Sequence, residues 1–214
     1  MKNLKIQLLI DNPDSWMWDY VNLIQNEIFK VNKYCKVIKR ASQVSEGDVL
    51  ILLSCNRVFK NLDLNKYNIV IHESDLPKGK GFSPLTWQIL EGKNIIPICM
   101  FEANKDIDAG EIYFKDEIFL KGHELIDEIR EKQAFKTLDL ILKFLNSKFY
   151  PKKKPQIGEE THYRKRKKND NKIDINKSIK ENFNKLRVID NIRYPAFFEY
   201  MDHEYTIRIE KSKN

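Results

Sequence analysis

Two apolar runs joined by a Pro- and Gly-rich loop constrain this chain most. The stretch 68–114, NIVIHESDLPKGKGFSPLTWQILEGKNIIPICMFEANKDIDAGEIYF, opens with Asn68-Ile69-Val70-Ile71, a short buried strand by composition. It delivers His72 to the strand's carboxyl end. Pro77, Gly79, Gly81 and Pro84 then set tight turns and let a ligand come close to the backbone. Ser83 and Pro84 start a helix that Gly92 stops. A second run, Ile95 to Phe101, leads to the turn Asp106-Ile107-Asp108-Ala109-Gly110. One His and one Asp are thus expected to leave two strands at the same edge of one sheet, where open α/β sheets place their sites. By residue type alone a bland reading competes: a lone His after a strand is more often structural, and an Asp-Ala-Gly turn is ordinary turn chemistry.

The rest of the chain extends the alternation of strand and helix. Leu4 to Ile10 reads as a strand and 16–31 as a helix with an apolar stripe; Lys36-Val37-Ile38 follows as a short strand. Val49-Leu50-Ile51-Leu52-Leu53 is a continuous apolar run suited to a central parallel strand. Residues 115–120 read as extended, 122–131 and 134–149 as two helices, and 197–209 as a terminal hairpin. The fold class is therefore α/β, a doubly wound, mostly parallel Rossmann-like sheet with a small C-terminal helix and β-hairpin extension.

Charge divides the chain in two. Residues 151–214 hold 17 of the 38 Lys and Arg and 10 of the 31 Asp and Glu, leaving 21 of each in residues 1–150. All of the net +7 sits in the last part. Pro151-Lys152-Lys153-Lys154-Pro155 reads as a solvated linker, so the boundary is drawn between a domain of residues 1–150 and a basic extension of residues 151–214. A basic unit favours an anionic partner. No apolar run approaches the ~20 residues of a membrane span, and no signal-peptide pattern opens the chain. Cys35, Cys55 and Cys99 lack metal-ligand spacing, so no metal is expected and a reducing cytoplasm is the simplest home. Neither a P-loop nor a Gly-x-Gly-x-x-Gly fingerprint is present.

The order of residues in the central stretch resembles the folate-dependent formyltransferases. His72-Glu73-Ser74-Asp75-Leu76-Pro77, Gly79-Lys80-Gly81, Ser83-Pro84, Trp87-Gln88-Ile89 and Asp108-Ala109-Gly110 carry the resemblance. His72 and Asp108 match that family's His and Asp; its Asn, two positions before the His, is Val70 here. The resemblance implies formyl transfer from 10-formyltetrahydrofolate to an amine, with His72 and Asp108 catalytic and Asn56 the first substitute for the missing Asn. It implies a pterin pocket from Arg57, Val58, Phe59, Phe101, Asp106 and Ile107. It places the acceptor against Ser74, Asp75, Pro77, Lys78, Gly79, Lys80 and Gly81.

Past the core, Tyr163-Arg164 through Arg166, then Arg193-Tyr194-Pro195-Ala196, resemble more loosely the amino-sugar formyltransferases. A nucleotide-linked amino sugar is the partner this implies, with Tyr163, Arg164, Arg166, Arg193 and Tyr194 on its nucleotide. A homodimer is compatible with this. A methionyl-tRNA formyltransferase-like enzyme and a non-catalytic binder on the same fold are the alternatives. Nucleic acid is disfavoured because about 60 residues are too few for the larger C-terminal barrel of the tRNA enzymes, although a run of basic residues such as 164–168 is by itself compatible with it.

Overall fold

A computed structural model describes residues 2–55, 57–147 and 151–212. Its centre is a six-stranded sheet. Strands β1 (Lys2–Ile10), β2 (Asn32–Ile38), β3 (Gly47–Ser54) and β4 (Asn65–His72) form the parallel part, in the order β2-β1-β3-β4. A two-residue strand, β5 (Lys80–Gly81), follows in the loop beyond β4. Strands β6 (Ile95–Glu102) and β7 (Ile112–Phe119) then extend the sheet past β4, both pairings antiparallel. The sheet is mainly parallel, as the apolar runs imply.

Both faces of the parallel strands are covered, so consecutive apolar residues enter different cores. Ile6, Leu8, Ile51 and Ile69 pack on one face beneath α1 (Val21–Val31) and α3 (Ile126–Asn146). Leu9, Ile38 and Leu50 pack on the other, against Val44 and Phe59. That second face has loops over it rather than helices, and a ligand cavity forms beneath them.

Several element boundaries differ from expectation. The stripe at 16–31 divides into a 3-10 turn at Trp16–Asp19, capped by Ser15, and α1. The two helices expected at 122–131 and 134–149 are one, α3, because no Gly or Pro interrupts 126–146; residues 148–150 lie outside the described residues. Gly122, at φ 98°, turns the chain before it, and the Glu128 carboxylate accepts from Leu125 N at 2.9 Å as the helix begins.

The C-terminal part packs its own small core. Ile173, Leu186, Ile189 and Ala196 cluster between α4 (Ile179–Arg187) and the hairpin of β9 (Ala196–Tyr200) and β10 (His203–Ile207). Ser178 caps α4 in a capping box with Glu181. The fully buried Arg187 ties α4 to the main sheet: its Nη2 donates to Asn94 Oδ1 at 2.7 Å and its Nη1 lies 3.9 Å from Glu124 Oε2.

Residues 152–155 are exposed, as expected of a solvated linker, but the stretch is bonded to the main sheet. Ile112 N donates to Lys154 O at 2.8 Å and Lys154 N to Ile112 O at 2.9 Å, so the chain runs antiparallel beside the start of β7. A little further on, β8 (His162–Tyr163) pairs in parallel with β5. The last third is thereby bonded onto the loop that follows His72.

Glu124 offers a test of this packing. Burial alone would raise its carboxyl. The Lys132 ammonium at 2.7 Å and the backbone N–H groups of Lys121 and Gly122 outweigh that and hold it at about 2. Its folded value lies below the unfolded carboxylate value of about 4.3. The stability it contributes is therefore present above that pH and is lost as pH falls toward 2. Glu124→Gln should lower the urea midpoint at pH 7, and its difference from the parent protein should shrink between about pH 4 and pH 2.

Candidate functional site

His72 sits at the last position of β4 and is 7% exposed. Its Nε2 lies 2.9 Å from Gly79 O. A carbonyl only accepts, so the proton is on Nε2. The same nitrogen is 3.7 Å from Asp108 Oδ2. Asp108, at φ 51°, turns its carboxylate into the loop after β4, where Oδ2 accepts from Gly81 N at 2.8 Å.

The route by which Asp108 reaches His72 differs from the expectation of two strands ending at one edge. Strand β6 runs antiparallel to β4, with Glu102 opposite Ile69 and Cys99 opposite His72. The carboxyl end of β6 therefore lies about three residues, roughly 10 Å, away along β4. Residues 103–111 fold back over the sheet to return Asp108 to His72. Gly110 allows that return: a Cβ there would stand 1.6 Å from Glu102 O. Gln156 fixes the loop from outside, its Nε2 donating to Asp108 O at 2.9 Å and Gly110 O at 2.8 Å.

The loop after His72 is braced from the same C-terminal segment. Gly79 N donates to Thr161 Oγ1 at 2.8 Å, Lys80 N to Thr161 O at 2.9 Å, and Phe82 N to Tyr163 O at 3.1 Å. Lys80 buries its ammonium against Glu160. Residues 156–163 thus hold both loops that carry the His–Asp pair.

Two cavities meet at His72. One, of about 250 Å³, lies on the loop-covered face; the other, of about 220 Å³, lies toward the 3-10 turn and α3. His72, Gly81, Ser54 and Phe82 line both. All of Arg57, Val58, Phe59, Phe101, Asp106 and Ile107 line the larger one, with Val70 and Leu52 as apolar floor. Cys55 also reaches it, but burial pushes that thiol up to about 12, which leaves it no nucleophile near neutral pH.

The residues expected on the acceptor side divide. Gly81 lines both cavities, whereas Ser74, Asp75, Pro77, Lys78, Gly79 and Lys80 line neither. The buried Ser74 accepts Cys99 Sγ–H at its carbonyl, and Asp75 pairs with Lys115. Tyr163 donates to Glu91 and stacks on Trp87 at 6.3 Å between ring centroids. Arg164 forks onto Asp170, Arg166 donates to Asn171, and Arg193 donates to Asp14 O at 3.0 Å. Tyr194 is exposed and its backbone N–H bonds to Asp190 O. These five residues of the extension reach neither cavity. Asn56 lies outside the described residues.

Glu73, Gln133 and Thr137, which line the smaller cavity, and Gln156 were not singled out from the sequence. Gln133 fell at the expected break between two helices, Thr137 within the second of them, and Gln156 just past the stretch that read as a linker. Among the described residues no three or more His, Cys, Asp or Glu are grouped to hold a metal ion. None of the described helices is long and apolar enough to cross a membrane.

No protein-family model matches the chain. Curated relatives do. A methionyl-tRNA formyltransferase from Sulfurihydrogenibium sp. is 30% identical over 166 residues, 75% of this chain and 53% of that protein. A methionyl-tRNA formyltransferase from Thermodesulfovibrio yellowstonii is 27% identical over 217 residues, 94% of this chain and 70% of that one. The chain thus spans about half the length of the first relative. Among solved structures, a methionyl-tRNA formyltransferase from Clostridium thermocellum superposes with a TM-score of 0.80 at 20% identity, covering 100% of this chain and 94% of that one. The chain is thus similar to formyltransferases in sequence and in fold, which supports the folate-dependent formyltransferase family.

Other formyltransferase-fold structures agree on the architecture. HypX from Aquifex aeolicus in complex with tetrahydrofolic acid superposes with a TM-score of 0.78 at 16% identity, over 97% of this chain and 38% of that one. A sugar N-formyltransferase from Shewanella sp. superposes with a TM-score of 0.66 at 12% identity, over 99% of each chain. Formyltransferases with different acceptors thus share this sheet.

Proposed function

We propose that this chain transfers a formyl group from 10-formyltetrahydrofolate to the primary amine of a nucleotide-linked amino sugar. The observation that carries the reading is the meeting of two cavities at His72, with Asp108 on the larger one. Two substrates can then approach the imidazole from opposite sides.

The larger cavity suits a flat heterocycle. Leu52, Val70, Phe59 and Phe101 supply apolar walls, and Asn104, Asp106 and Asp108 add polar residues to the lining. At about 250 Å³ it lies just under the ~300 Å³ at which drug-sized sites begin, so it takes a bicyclic ring and leaves a long tail outside. A bound donor supplies an electrophilic formyl carbon. His72 Nε2–H donates to Gly79 O in this structure and has to turn from that carbonyl to donate to the oxygen that becomes negative as an amine attacks. Asp108 favours that protonated nitrogen electrostatically, and its own position is set by Gly81 N.

Val70 has no donor to add to the oxyanion. Asn56 follows β3, the strand that pairs with β4 at Leu52 opposite Val70, and is the residue we assign to that task. Asn56→Ala should lower turnover about 10-fold or more, as losing an oxyanion donor does, while Val70→Asn changes it little. Equal rates for Asn56→Ala and the parent enzyme would remove Asn56 from the site.

The amino-sugar acceptor is supported by the economy of the C-terminal part. Arg164 and Lys168, at the two ends of the basic run, and Lys172 beyond it are paired with Asp170, Glu204 and Glu199, so part of the basic charge is neutralised within the chain rather than offered as a phosphate track. A second reading, formylation of methionyl-tRNA, is favoured by the names of the sequence relatives. The deciding experiment incubates the protein and 10-formyltetrahydrofolate with nucleotide-linked 3-amino and 4-amino sugars and, separately, with methionyl-tRNA. Mass spectrometry then reads the gain of one formyl group. Formylation of the tRNA alone would overturn the sugar reading; formylation of neither would overturn the transferase.

A further inference from the structure

The smaller cavity contains a carboxylate that the chemistry so far leaves unused. Glu73 follows His72 directly, lines that cavity and is partly buried. Its backbone is pinned, since Gln88 Nε2 of α2 (Pro84–Leu90) donates to Glu73 O at 2.6 Å. Its side chain is hydrogen-bonded to Gln133 of α3, which lines the same cavity. The other lining groups, apart from His72, are neutral: Ser15, Trp16, Ser54, Thr137, Gln133 and Pro84 among them. Among the described residues, then, one carboxylate and no Lys or Arg faces a cavity that opens on the reacting imidazole.

A partly buried carboxylate with no Lys or Arg beside it among the lining residues suits a cation. A primary amine near neutral pH is an ammonium, which cannot attack a formyl carbon until it loses a proton. Resting on the formyl-transfer reading above, we propose that Glu73 is a catalytic residue: it receives the acceptor's ammonium in the smaller cavity and removes its proton. One N–H bond breaks, and the proton passes to the Glu73 carboxylate, leaving the nitrogen lone pair free. That pair forms the new bond to the formyl carbon. The bond from this carbon to N10 of the donor breaks, and N10 takes up the second proton that the attacking nitrogen sheds as the formamide forms, so tetrahydrofolate leaves and the first proton remains on Glu73 until solvent takes it.

The surroundings suit a base. Burial raises the Glu73 carboxyl, an effect moderated by the facing His72 and the Gln133 hydrogen bond and reinforced by Asp108. His72 and Asp108 are the charged groups that face it; α2, α3 and the 3-10 turn contribute Ser83, Gln133, Thr137 and Ser15, all uncharged. A base with a raised value accepts a proton from an amine more readily than an exposed carboxylate does. This explains why two carboxylates flank one imidazole. Asp108 faces the donor side and Glu73 the acceptor side.

The test uses the full chain with Glu73→Gln and Glu73→Asp. Binding of 5-formyltetrahydrofolate, followed by tryptophan fluorescence, verifies that each variant is folded. Saturation-transfer NMR at pH 6.5 then compares methionine amide and methyl 4-amino-4-deoxyglucoside with their N-acetyl counterparts. The parent protein should bind the amines and not the amides, Glu73→Gln should lose that preference, and Glu73→Asp should retain part of it. Where turnover is measurable, Glu73→Gln should lose about 10²–10⁴-fold near neutral pH and recover as pH rises toward the acceptor's own value. Amine binding that requires Glu73 without any formyl transfer would uphold the ammonium site at Glu73 and overturn its catalytic part together with the transferase reading. An unchanged amine preference in Glu73→Gln, or an unchanged pH–rate profile, would overturn the assignment.

Discussion

Replacing His72 with Asn lowers turnover by about 10²–10⁴-fold and leaves the fold in place. Asn keeps an N–H able to reach toward Gly79 O, the group that His72 Nε2 meets at 2.9 Å, so the loop after β4 retains an anchor. Its shorter side chain cannot carry that N–H to the developing oxyanion beside Asp108, which is what His72 contributes. Asp108→Asn should produce a loss of the same order by a different route. Its oxygen can still accept from Gly81 N, but the negative charge beside the imidazole is gone. Single-turnover measurements with saturating donor would separate chemistry from binding: both variants should slow the formyl-transfer step more than they weaken donor affinity. Full activity in either variant, with an intact circular dichroism spectrum, would remove the pair from the chemistry.

The strands were legible because apolar runs such as 49–53 and 69–71 are buried on both faces and need no alternation to be noticed. The direction of β6 was not. A parallel return needs a crossover of about a dozen residues or more. Residues 73–94 are long enough for one, so length could not distinguish the two pairings. Asp108 was therefore correctly associated with His72 for an incorrect reason, an edge common to two strand ends. The extension was the least legible part. Its attachment relies on an isolated bridge at Lys154 and a two-residue strand at 162–163, too short for any periodicity, within a Lys- and Pro-rich segment that reads as a spacer. Its arginines looked like phosphate ligands because ion-pair partners such as Asp170 and backbone acceptors such as Asp14 O are apparent only in three dimensions.

That attachment predicts a second large effect, at Gly81. This residue adopts φ 97°, and a Cβ on it would stand 2.4 Å from Tyr163 O, a backbone atom that cannot rotate away. Gly81→Ala must therefore push β8 off β5 or unwind the turn. The expected cost combines backbone strain of about 1–3 kcal/mol with overpacking of about 1–3 kcal/mol. In a chain of this size that corresponds to a fall in Tm of roughly 4–24 °C. Activity should fall with it, because Gly81 N is the donor that places Asp108 Oδ2, and a displacement near 1 Å can cost about 10²-fold. Gly92→Ala provides the comparison. Gly92 has a similar φ of 91° but nothing within 4 Å of its added Cβ, so strain acts there without a clash. Differential scanning calorimetry and turnover on both variants separate the two contributions. If Gly81→Ala melts no lower than Gly92→Ala and keeps its rate, the β5–β8 pairing does not hold the site, and the last third of the chain is not what positions the His–Asp pair.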